Sequence, residues 1–425
     1  MREYKISIEI SGEQVPVGVI TGDAPESACF QYAEAYLTRS DAAPLSISLP
    51  LGREPFSPAR TRAFFDGPLP EGFTRRSVAQ WMHLDEEDYL SILCCLGREC
   101  LGAIRVTDGE EEPKAGYERI SASQIRGLAA KGATKSAELV TKSHLSLTGA
   151  SGKVGLYFDE AGGQWYLPIG TAPSTHIVKQ SHVRLTGIVA NEQLSLLTAK
   201  KCGIEVPQSF IINTGTGRNE DVLLATGRYD RVMADTRRRI GSLPRPMRLH
   251  QEDFAQAMGI PASKKYEKKH EGNLKGMFDL LRKYSADPIA DLLKLWDIIV
   301  YDFLVGNTDA HIKKFSILYS PDMKRIRFAP AYDLVSTTVY EQSTRDMAFA
   351  IGGVYSLDEI TEDNFRQAAR GAGLGEKMAL GRFAQMRERF VPALREAAAE
   401  LAEARYINAE QTAATILEKG GIGKV

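Results

Sequence analysis

Strand-like segments dominate the sequence between residues 136 and 230, and helical segments dominate most of the sequence after residue 230. The first stretch carries short β-rich runs such as KVGLYFD and QWYLPI around one helical run, NEQLSLLTAKKCG. The second stretch includes DPIADLLKLWDIIVYDFLVG, an apolar helix that we expect to end at Gly306. A sheet-rich unit followed by a helical unit is how a two-lobed phosphotransferase is built. The sequence therefore predicts an α+β chain with two lobes.

Two further segments precede these lobes. The N-terminal stretch combines strand-like alternation with the helical run DEEDYLSILCCLG and predicts a β-rich subdomain. A polar, acidic stretch starts at Thr107 and is typical of a linker. In the C-terminal helical region, Pro392 predicts a kink or a helix boundary. The predicted division is a subdomain at 1–110, a linker at 111–135, a sheet-rich lobe at 136–230 and a helical lobe at 231–425.

The composition argues against several classes of protein. A formal net charge of -1 over 425 residues is not that of a chain whose main task is coating nucleic acid or anionic lipid. The N-terminus lacks the apolar run of a signal peptide, and no stretch reaches the length of a membrane helix. We therefore expect a cytoplasmic protein without membrane contact. The five cysteines include no CxxC pair and indicate neither a disulfide framework nor a zinc site.

The stretch SLTGASGKVGLYF is a candidate phosphate loop between two strands. Gly149, Ala150 and Gly152 let backbone N–H groups approach a phosphate closely, and Lys153 adds a point charge. The Walker A pattern is absent, because Val154 follows the lysine where that pattern has serine or threonine. An ordinary hairpin turn is the alternative interpretation.

Lys179 lies in the β-rich run STHIVKQSH, where it can contact a nucleotide held against a sheet. Such a lysine needs a carboxylate to orient it, and Glu192 at the start of the next helix is the available candidate. A lysine on an edge strand is the alternative interpretation.

Asp309 follows the apolar helix directly, in GNTDAHIKKFSILY. A rigid helix end can present this carboxylate to a hydroxyl as a general base. The loop is similar to a protein kinase catalytic loop, in which an asparagine five residues after the base holds magnesium. Here that position is Lys314. A turn cap built from Asn, Thr and Asp is the alternative interpretation.

Asp333 follows the strand pair KFSILYSPDMKRIRF, within FAPAYDLVS. A protein kinase places its magnesium-binding aspartate likewise, after a short hairpin that follows the catalytic loop. The spacing of 24 positions between Asp309 and Asp333 fits this arrangement. The ordered series of small-residue turn, strand lysine, base loop and metal aspartate is harder to obtain by accident than any one of its members.

Over nearly its whole length the sequence resembles the HipA family of bacterial serine/threonine kinases, which are toxins of type II toxin-antitoxin modules. The motifs that carry the resemblance are SLTGASGK, THIVKQ, NEQLSLLTAKKCGIEVP, GRYDR, RLHQEDFAQAMGIPASKKYE, GNTDAHIKKFS and APAYDLVS. The stretch PLSISLPLGREPFSPARTRAFFDGPLPEG also resembles the N-terminal subdomain of that family. The resemblance implies a two-lobed, protein-kinase-like fold with this additional subdomain and a helical C-terminal lobe.

The resemblance also implies ATP and Mg2+ as co-substrates, with Asp309 as catalytic base and Asp333 as metal ligand. Ser146 matches the serine at which family members phosphorylate and silence themselves. The other ATP-binding residues that it implies are Thr148, Gly149, Ala150, Ser151, Gly152 and Lys153 in the phosphate loop, Lys179, the hinge residues Gly227, Arg228 and Tyr229, and His311, Lys314 and Tyr332.

The partners implied by the resemblance are a HipB-like helix-turn-helix antitoxin and a protein substrate. The best-known substrate of the family is glutamyl-tRNA synthetase, and relatives act on other aminoacyl-tRNA synthetases. DNA contact is expected mainly through the antitoxin, with the basic run RYDRVMADTRRRIG as an accessory or simply a solvated hairpin.

Two positions depart from the family pattern. Lys314 replaces the asparagine of the metal site, and an ammonium group cannot coordinate a cation. Gly227 replaces an acidic hinge residue, a change that leaves backbone contacts to adenine intact. The first departure opens a second hypothesis, an attenuated kinase or pseudokinase that binds ATP and a partner. A DNA-binding repressor without catalysis fits less well, because the charge is near neutral and no recognition helix is evident.

Overall fold

The computed structural model describes residues 2–97, 99–109, 114–130, 152–181, 185–233, 237–268, 271–406 and 408–424. Ser146 and the predicted loop residues Thr148, Gly149, Ala150 and Ser151 lie outside the described residues, whereas Gly152 and Lys153 lie inside them.

Strands and short helices dominate the first half of the described chain, and longer helices the second half. The strands are β1 Arg2–Ile10, β2 Glu13–Gly22, β3 Cys29–Tyr32, β4 Ile104–Thr107, β5 Gly116–Arg119, β6 Lys153–Asp159, β7 Gln164–Ile169, β8 His176–Gln180, β9 Ser209–Asn213, β10 Val222–Gly227, β11 Arg231–Val232, β12 Arg239–Ile240, β13 Leu243–Pro244, β14 Met247–Arg248, β15 Gln251–Asp253, β16 Ser316–Tyr319, β17 Ile326–Phe328, β18 Asp346–Ile351 and β19 Val354–Ser356. The helices are α1 Glu34–Leu37, α2 Pro58–Phe65, α3 Gly72–Trp81, α4 Tyr89–Leu96, α5 Ile188–Lys201, α6 Phe254–Met258, α7 Asn273–Tyr284, α8 Pro288–Val305, α9 Glu362–Gly371, α10 Glu376–Glu403 and α11 Ala409–Lys419.

The chain divides into two compact units. The first consists of Met1–His182, Ala225–Ala262 and Ile317–Ile326, and the second of Val183–Leu224, Ser263–Ser316 and Arg327–Val425. This division differs from the four predicted segments, because stretches far apart in the sequence pack together in each unit.

Two larger sheets lie in the described part of the first unit. One has the strand order β3-β2-β1-β4, and in the other β5, β7, β6, β8 and β10 follow one another. The first sheet packs its apolar face on α2, where Phe30, Phe64 and Phe65 are fully buried. Burial of aromatic rings of this size is a major source of folding free energy.

Strand β5 lies within the stretch 111–135 that was predicted as a linker, and residues 122–130 are helical. The linker prediction is wrong for these residues. Strand β5 pairs antiparallel with β7, and the ring of Tyr117 packs on that of Tyr157 with centroids 4.4 Å apart. The Tyr117 hydroxyl also donates to the carbonyl of Pro173 at 2.8 Å. The half-buried Tyr117 thus anchors β5, although the residues that flank this strand in the sequence are mostly polar.

The second unit is mainly helical, and its buried centre includes Trp296, Phe303, Phe365 and Phe383. Helix α10 continues through Pro392, so of the kink or helix boundary predicted there, the boundary is wrong. The helix tolerates this proline because the flanking residues pack in the core, where Ala393 and Leu394 are buried. Among the helices of the described residues, none combines the length and the apolar character needed to cross a membrane.

Candidate active site

The predicted catalytic loop directly follows helix α8, which lies in the interior of the second unit. The side chain of Asp287 caps its first turn by accepting from Ala290 N, and Pro288 occupies the first position. The helix ends at Gly306, as predicted, with φ 73° in the left-handed region. A Cβ at this glycine would collide with Thr338 Oγ1, so a larger residue is excluded. The loop therefore leaves the helix along one fixed path.

Asn307 and Thr308 hold the start of the loop. Asn307 N donates to the carbonyl of Asp302 at 2.8 Å, and Thr308 N donates to Thr337 Oγ1 at 2.8 Å. Both residues are buried. The next residue, Asp309, therefore projects from a backbone that is fixed on both sides, since His311 N donates to the carbonyl of Asp309 at 2.8 Å.

Asp309 has a side chain that is 40% exposed and contacts two other side chains. Its Oδ1 accepts a hydrogen bond from the hydroxyl of Tyr266. Its Oδ2 lies 3.7 Å from the Nζ of Lys314. The predicted base is thus both open to solvent and engaged by a hydroxyl, the type of group from which a general base removes a proton.

Asp333 forms an ion pair with Lys314 through its Oδ2, with each side chain 19% exposed. Its φ of 57° lies in the left-handed region, which non-glycine residues seldom adopt. Such backbone conformations cluster at functional sites, where the surrounding structure fixes them. The neighbouring hydroxyl of Tyr332 donates to the carbonyl of Lys313 at 3.0 Å and lies 2.7 Å from Ser316 Oγ. Tyr332 therefore positions the Asp333 turn within the second unit.

Lys314 links the two aspartates of the candidate site. Burial alone would lower the pKa of its ammonium group, but the carboxylates of Asp333, Asp309 and Glu192 outweigh burial and raise this pKa well above its usual value. The lysine is therefore charged at any physiological pH. Glu192 lies in α5 within the second unit. Its predicted role of orienting Lys179 remains a prediction.

The acidic groups of the second unit suit one magnesium ion better than a pair. Asp333 supplies a carboxylate, but Lys314 offers only hydrogen-bond donors and already bonds one of the Asp333 oxygens. Magnesium in kinase sites is commonly held by one or two carboxylates together with phosphate oxygens. Within the described parts of the chain, no group of three or more His, Cys, Asp and Glu side chains could hold a metal ion. Asp333 is thus the carboxylate that would hold a magnesium ion, and its role as metal ligand remains a prediction.

His311 is a buried, neutral imidazole beside the predicted base. Burial, together with the ammonium groups of Lys314, Lys265 and Lys313, holds its pKa well below the usual value. The ring of Tyr266 meets it edge to face, with centroids 5.0 Å apart. An uncharged ring adds no further positive charge next to Asp309.

Asp302 is a buried carboxyl group that sequence analysis missed. Burial raises its pKa to about 7, although the hydrogen bond from Asn307 and the charge of Lys314 act in the opposite direction. Asp302, Asn307 and Lys314 line one small enclosed cavity of the second unit. The only sequence signal for this group is an aspartate within a run of apolar helix residues.

Lys153 and Lys179 face each other across two strands of the first unit. They are directly paired in the register of β6 and β8, so their side chains project from the same face of the sheet. Both residues are 9% exposed. Like charges directly opposite in a sheet are destabilising. This pairing concentrates positive charge beside Gly152, the end of the predicted phosphate loop.

The predicted hinge residues lie at the end of β10 and directly after it, but the side chain of Arg228 is not available to a nucleotide. It is fully buried and bonds Asp230 in a bidentate manner, at 2.9 and 2.7 Å, and Glu99 at 3.1 Å. The hydroxyl of Tyr229 donates to Gln251. Contacts to adenine from Gly227 and these two residues remain a prediction, and for Arg228 they are restricted to the backbone.

A buried ion cluster explains why the motif GRYDR carries so many charged residues. Its members are Glu9, Glu99, Arg228, Asp230, Arg231 and Arg248, all less than 10% exposed. Glu99 accepts from Arg231 at 2.9 Å and from Arg248 at 2.7 Å. The cluster joins β1, the turn after α4 and the end of β10 within the first unit. Sequence analysis missed it, because the members are up to 239 positions apart.

The fold and these groups together define a kinase-like protein. The HipA N-terminal domain matches residues 8–107 and the HipA-like C-terminal domain matches residues 145–394, more than half of the 425 residues. This chain belongs to the HipA family, which confirms the resemblance stated from its motifs.

Two curated relatives agree with this membership, and one solved structure has the same fold. The chain is 35% identical to "Putative kinase Y4mE" of Sinorhizobium fredii, over 84% of each chain. It is 29% identical to the serine/threonine-protein kinase toxin HipA of Shewanella oneidensis, over 60% of this chain and 58% of that one. The solved structure of the Shewanella oneidensis HipA, HipB and operator DNA complex has a TM-score of 0.79 and 22% identity, covering 97% of this chain and 96% of the other. The predicted fold class is thereby confirmed.

Proposed function

We propose that this chain is an ATP-dependent serine/threonine protein kinase and a toxin of a toxin-antitoxin pair. The observation that carries the proposal is the arrangement of Asp309 and Asp333, two carboxylates of one unit that both engage Lys314. One carboxylate is exposed to an incoming hydroxyl and the other follows a strand pair, as the base and metal aspartates of a kinase do.

Membership of the HipA family supports phosphate contacts from the sheet of the first unit and a magnesium ion on Asp333 of the second unit. The facing pair Lys153 and Lys179 supports the phosphate contacts. When bound, the ion neutralises charge on the phosphate oxygens and orients the group that is transferred. Asp309 accepts the proton of the acceptor hydroxyl. Because His311 is neutral, it does not offset the negative charge of the Asp309 carboxylate.

The acceptors that we propose are a protein substrate and the chain itself. Membership of the HipA family supports an aminoacyl-tRNA synthetase as substrate, which would block translation, and Ser146 as the site of self-phosphorylation. A phosphate on Ser146 would add about 1.5 to 2 negative charges beside the phosphate loop and so repel ATP. A HipB-like antitoxin is the proposed partner, supported by the HipA, HipB and operator DNA complex to which the fold is similar.

A second candidate is an attenuated kinase that binds ATP and a partner with slow transfer. The ion pair between Lys314 and Asp333 favours it specifically, since a fixed ammonium group stands at the position of a metal ligand. The fixed positive charge can replace part of the charge of a second ion, but it cannot bridge phosphate oxygens as a metal does.

Incubating the purified chain with γ-labelled ATP, magnesium and purified glutamyl-tRNA synthetase separates these candidates. Label on the synthetase or on the chain supports the kinase. ATP binding by calorimetry without label on either protein supports the attenuated form. Neither binding nor label would contradict both.

A further inference from the structure

Tyr266 places a hydroxyl on the predicted catalytic base. It lies in SKKYEK, just before α7 in the second unit, and is 42% exposed. Its hydroxyl donates to Asp309 Oδ1, and its ring contacts His311 edge to face at 88°. A half-exposed tyrosine therefore donates a hydrogen bond to Asp309, the carboxylate to which the proton of the acceptor hydroxyl is expected to move.

The backbone beside Tyr266 is anchored, so this contact is not that of a loose surface side chain. Glu267 N donates to the carbonyl of Ala348 at 2.9 Å. The Glu267 carboxylate accepts from Gly272 N at 2.6 Å and from Ala350 N at 2.7 Å. These bonds fix the segment to the start of α7 and to β18, and they hold the phenol within reach of Asp309.

The two oxygens of Asp309 have different neighbours. Lys314 lies 3.7 Å from Oδ2, and the phenol occupies Oδ1. A serine or threonine hydroxyl that gives up its proton to Asp309 must come within hydrogen-bond distance of one of these oxygens. The ammonium of Lys314 stabilises negative charge on Oδ2 of Asp309. Oδ1 is therefore the oxygen that remains for the acceptor hydroxyl.

We propose that Tyr266 occupies the acceptor-hydroxyl position of Asp309 and that the acceptor displaces it before transfer. The inference rests on the proposed kinase function and adds to it a residue that controls access to the base. The backbone stays anchored while the Tyr266 side chain rotates and moves its hydroxyl toward solvent. Tyr266 thereby selects for acceptors that bind strongly enough to replace a hydrogen bond to a charged group.

Tyr266→Phe is the variant that tests this, since it removes one oxygen from a half-exposed side chain. ATP hydrolysis, with water as acceptor and magnesium present, should be about 3- to 10-fold faster than in the wild type, because water then reaches Asp309 without displacing a hydroxyl. Adding Asp309→Asn should abolish the gain. Tyr284→Phe is the matched control: that tyrosine is 39% exposed, follows a lysine whose Nζ lies 4.8 Å from its ring, and should show the wild-type rate.

A second readout does not depend on catalysis. Nitration by tetranitromethane is slower for a phenol whose hydroxyl donates a hydrogen bond than for one whose hydroxyl is released. Peptide mass spectrometry of Asp309→Ala should show Tyr266 nitrated about 3-fold or more faster than in the wild type, with Tyr284 unchanged.

The outcomes separate this inference from the proposed function. Hydrolysis in Tyr266→Phe that equals or falls below the wild-type rate, while Asp309→Asn remains inactive, overturns the role of Tyr266 and leaves the kinase intact. Equal nitration of Tyr266 in Asp309→Ala and the wild type overturns it whatever the activity. A nitration difference with no phosphate transfer from ATP, either to water or to protein, by any of the variants contradicts the kinase itself, and the acceptor role with it.

Discussion

Lys314 forms an ion pair with Asp333 and lies 3.7 Å from Asp309, so one ammonium group connects the predicted metal ligand and the predicted base. The family pattern has asparagine at this position, a residue that can coordinate magnesium. The exchange replaces a metal ligand by a fixed positive charge. For the proposed kinase, the consequence is a site with fewer ligands for metal beside ATP.

Lys314→Asn should accelerate phosphate transfer and steepen its dependence on magnesium. The amide oxygen restores a ligand and frees Asp333 from the ammonium, and we expect a gain of about 10- to 100-fold, where each 1.4 kcal/mol is tenfold. Magnesium titrations of single-turnover transfer measure this. Lys314→Met, which removes the charge without adding a ligand, is the control and should not show the gain. Superimposable curves for Lys314→Asn and the wild type would show that the lysine is a bystander.

Ser146→Ala should prevent self-phosphorylation, because alanine offers no hydroxyl to the phosphate. Intact-mass measurement after incubation with magnesium and ATP detects the added phosphate directly. Ser143→Ala, which changes a serine three positions before Ser146, is the control and should still be modified. A phosphate retained by the Ser146 variant would assign the acceptor elsewhere.

The buried carboxyl of Asp302 makes stability depend on pH. Its pKa is about 7 in the folded chain, against about 3.9 in an unfolded one, so between these values the folded chain keeps a proton that the unfolded chain has lost. The free energy of unfolding should therefore fall as the pH rises from about 4 to about 7. Asp302→Asn, which cannot ionise, should show a shallower fall in urea denaturation than the wild type. Asp322→Asn, at an exposed turn, is the control and should follow the wild-type curve. If Asp302→Asn also followed the wild-type curve, the raised pKa of Asp302 would be contradicted.

The buried ion cluster should be sensitive to the loss of one charge. Glu99→Gln leaves three guanidinium groups with one fewer carboxylate, and breaking a buried ion pair in this way costs about 3 to 5 kcal/mol. Denaturant unfolding measures the difference. Glu34→Gln is the control, since Glu34 pairs with Arg53 on the surface, where such bonds contribute at most about 1 kcal/mol. Equal losses for both variants would contradict the structural importance of the cluster.

Short patterns in the sequence predicted the fold class and the end of α8 at Gly306, because an apolar run and a terminal glycine are local signals. The family was predicted from the order of several motifs. The neighbours of Lys314 were not predictable, since a lysine in a loop gives no sign of which carboxylate it will meet. Tyr266 lies 43 positions from Asp309, and their contact depends on the path of the intervening helices. The roles of the individual site residues stay predictions.

The comparison of Asp309→Asn with the wild type tests the central claim most directly. The amide keeps the shape of the carboxylate and its hydrogen bonding but cannot accept the acceptor proton, and general-base catalysis contributes about 100- to 10,000-fold. Single-turnover transfer from γ-labelled ATP and calorimetric ATP binding should be measured on the same two preparations. We predict a loss of transfer of that size with an unchanged Kd for ATP. Equal transfer rates in the two proteins would contradict the assignment of Asp309 as the base of a kinase.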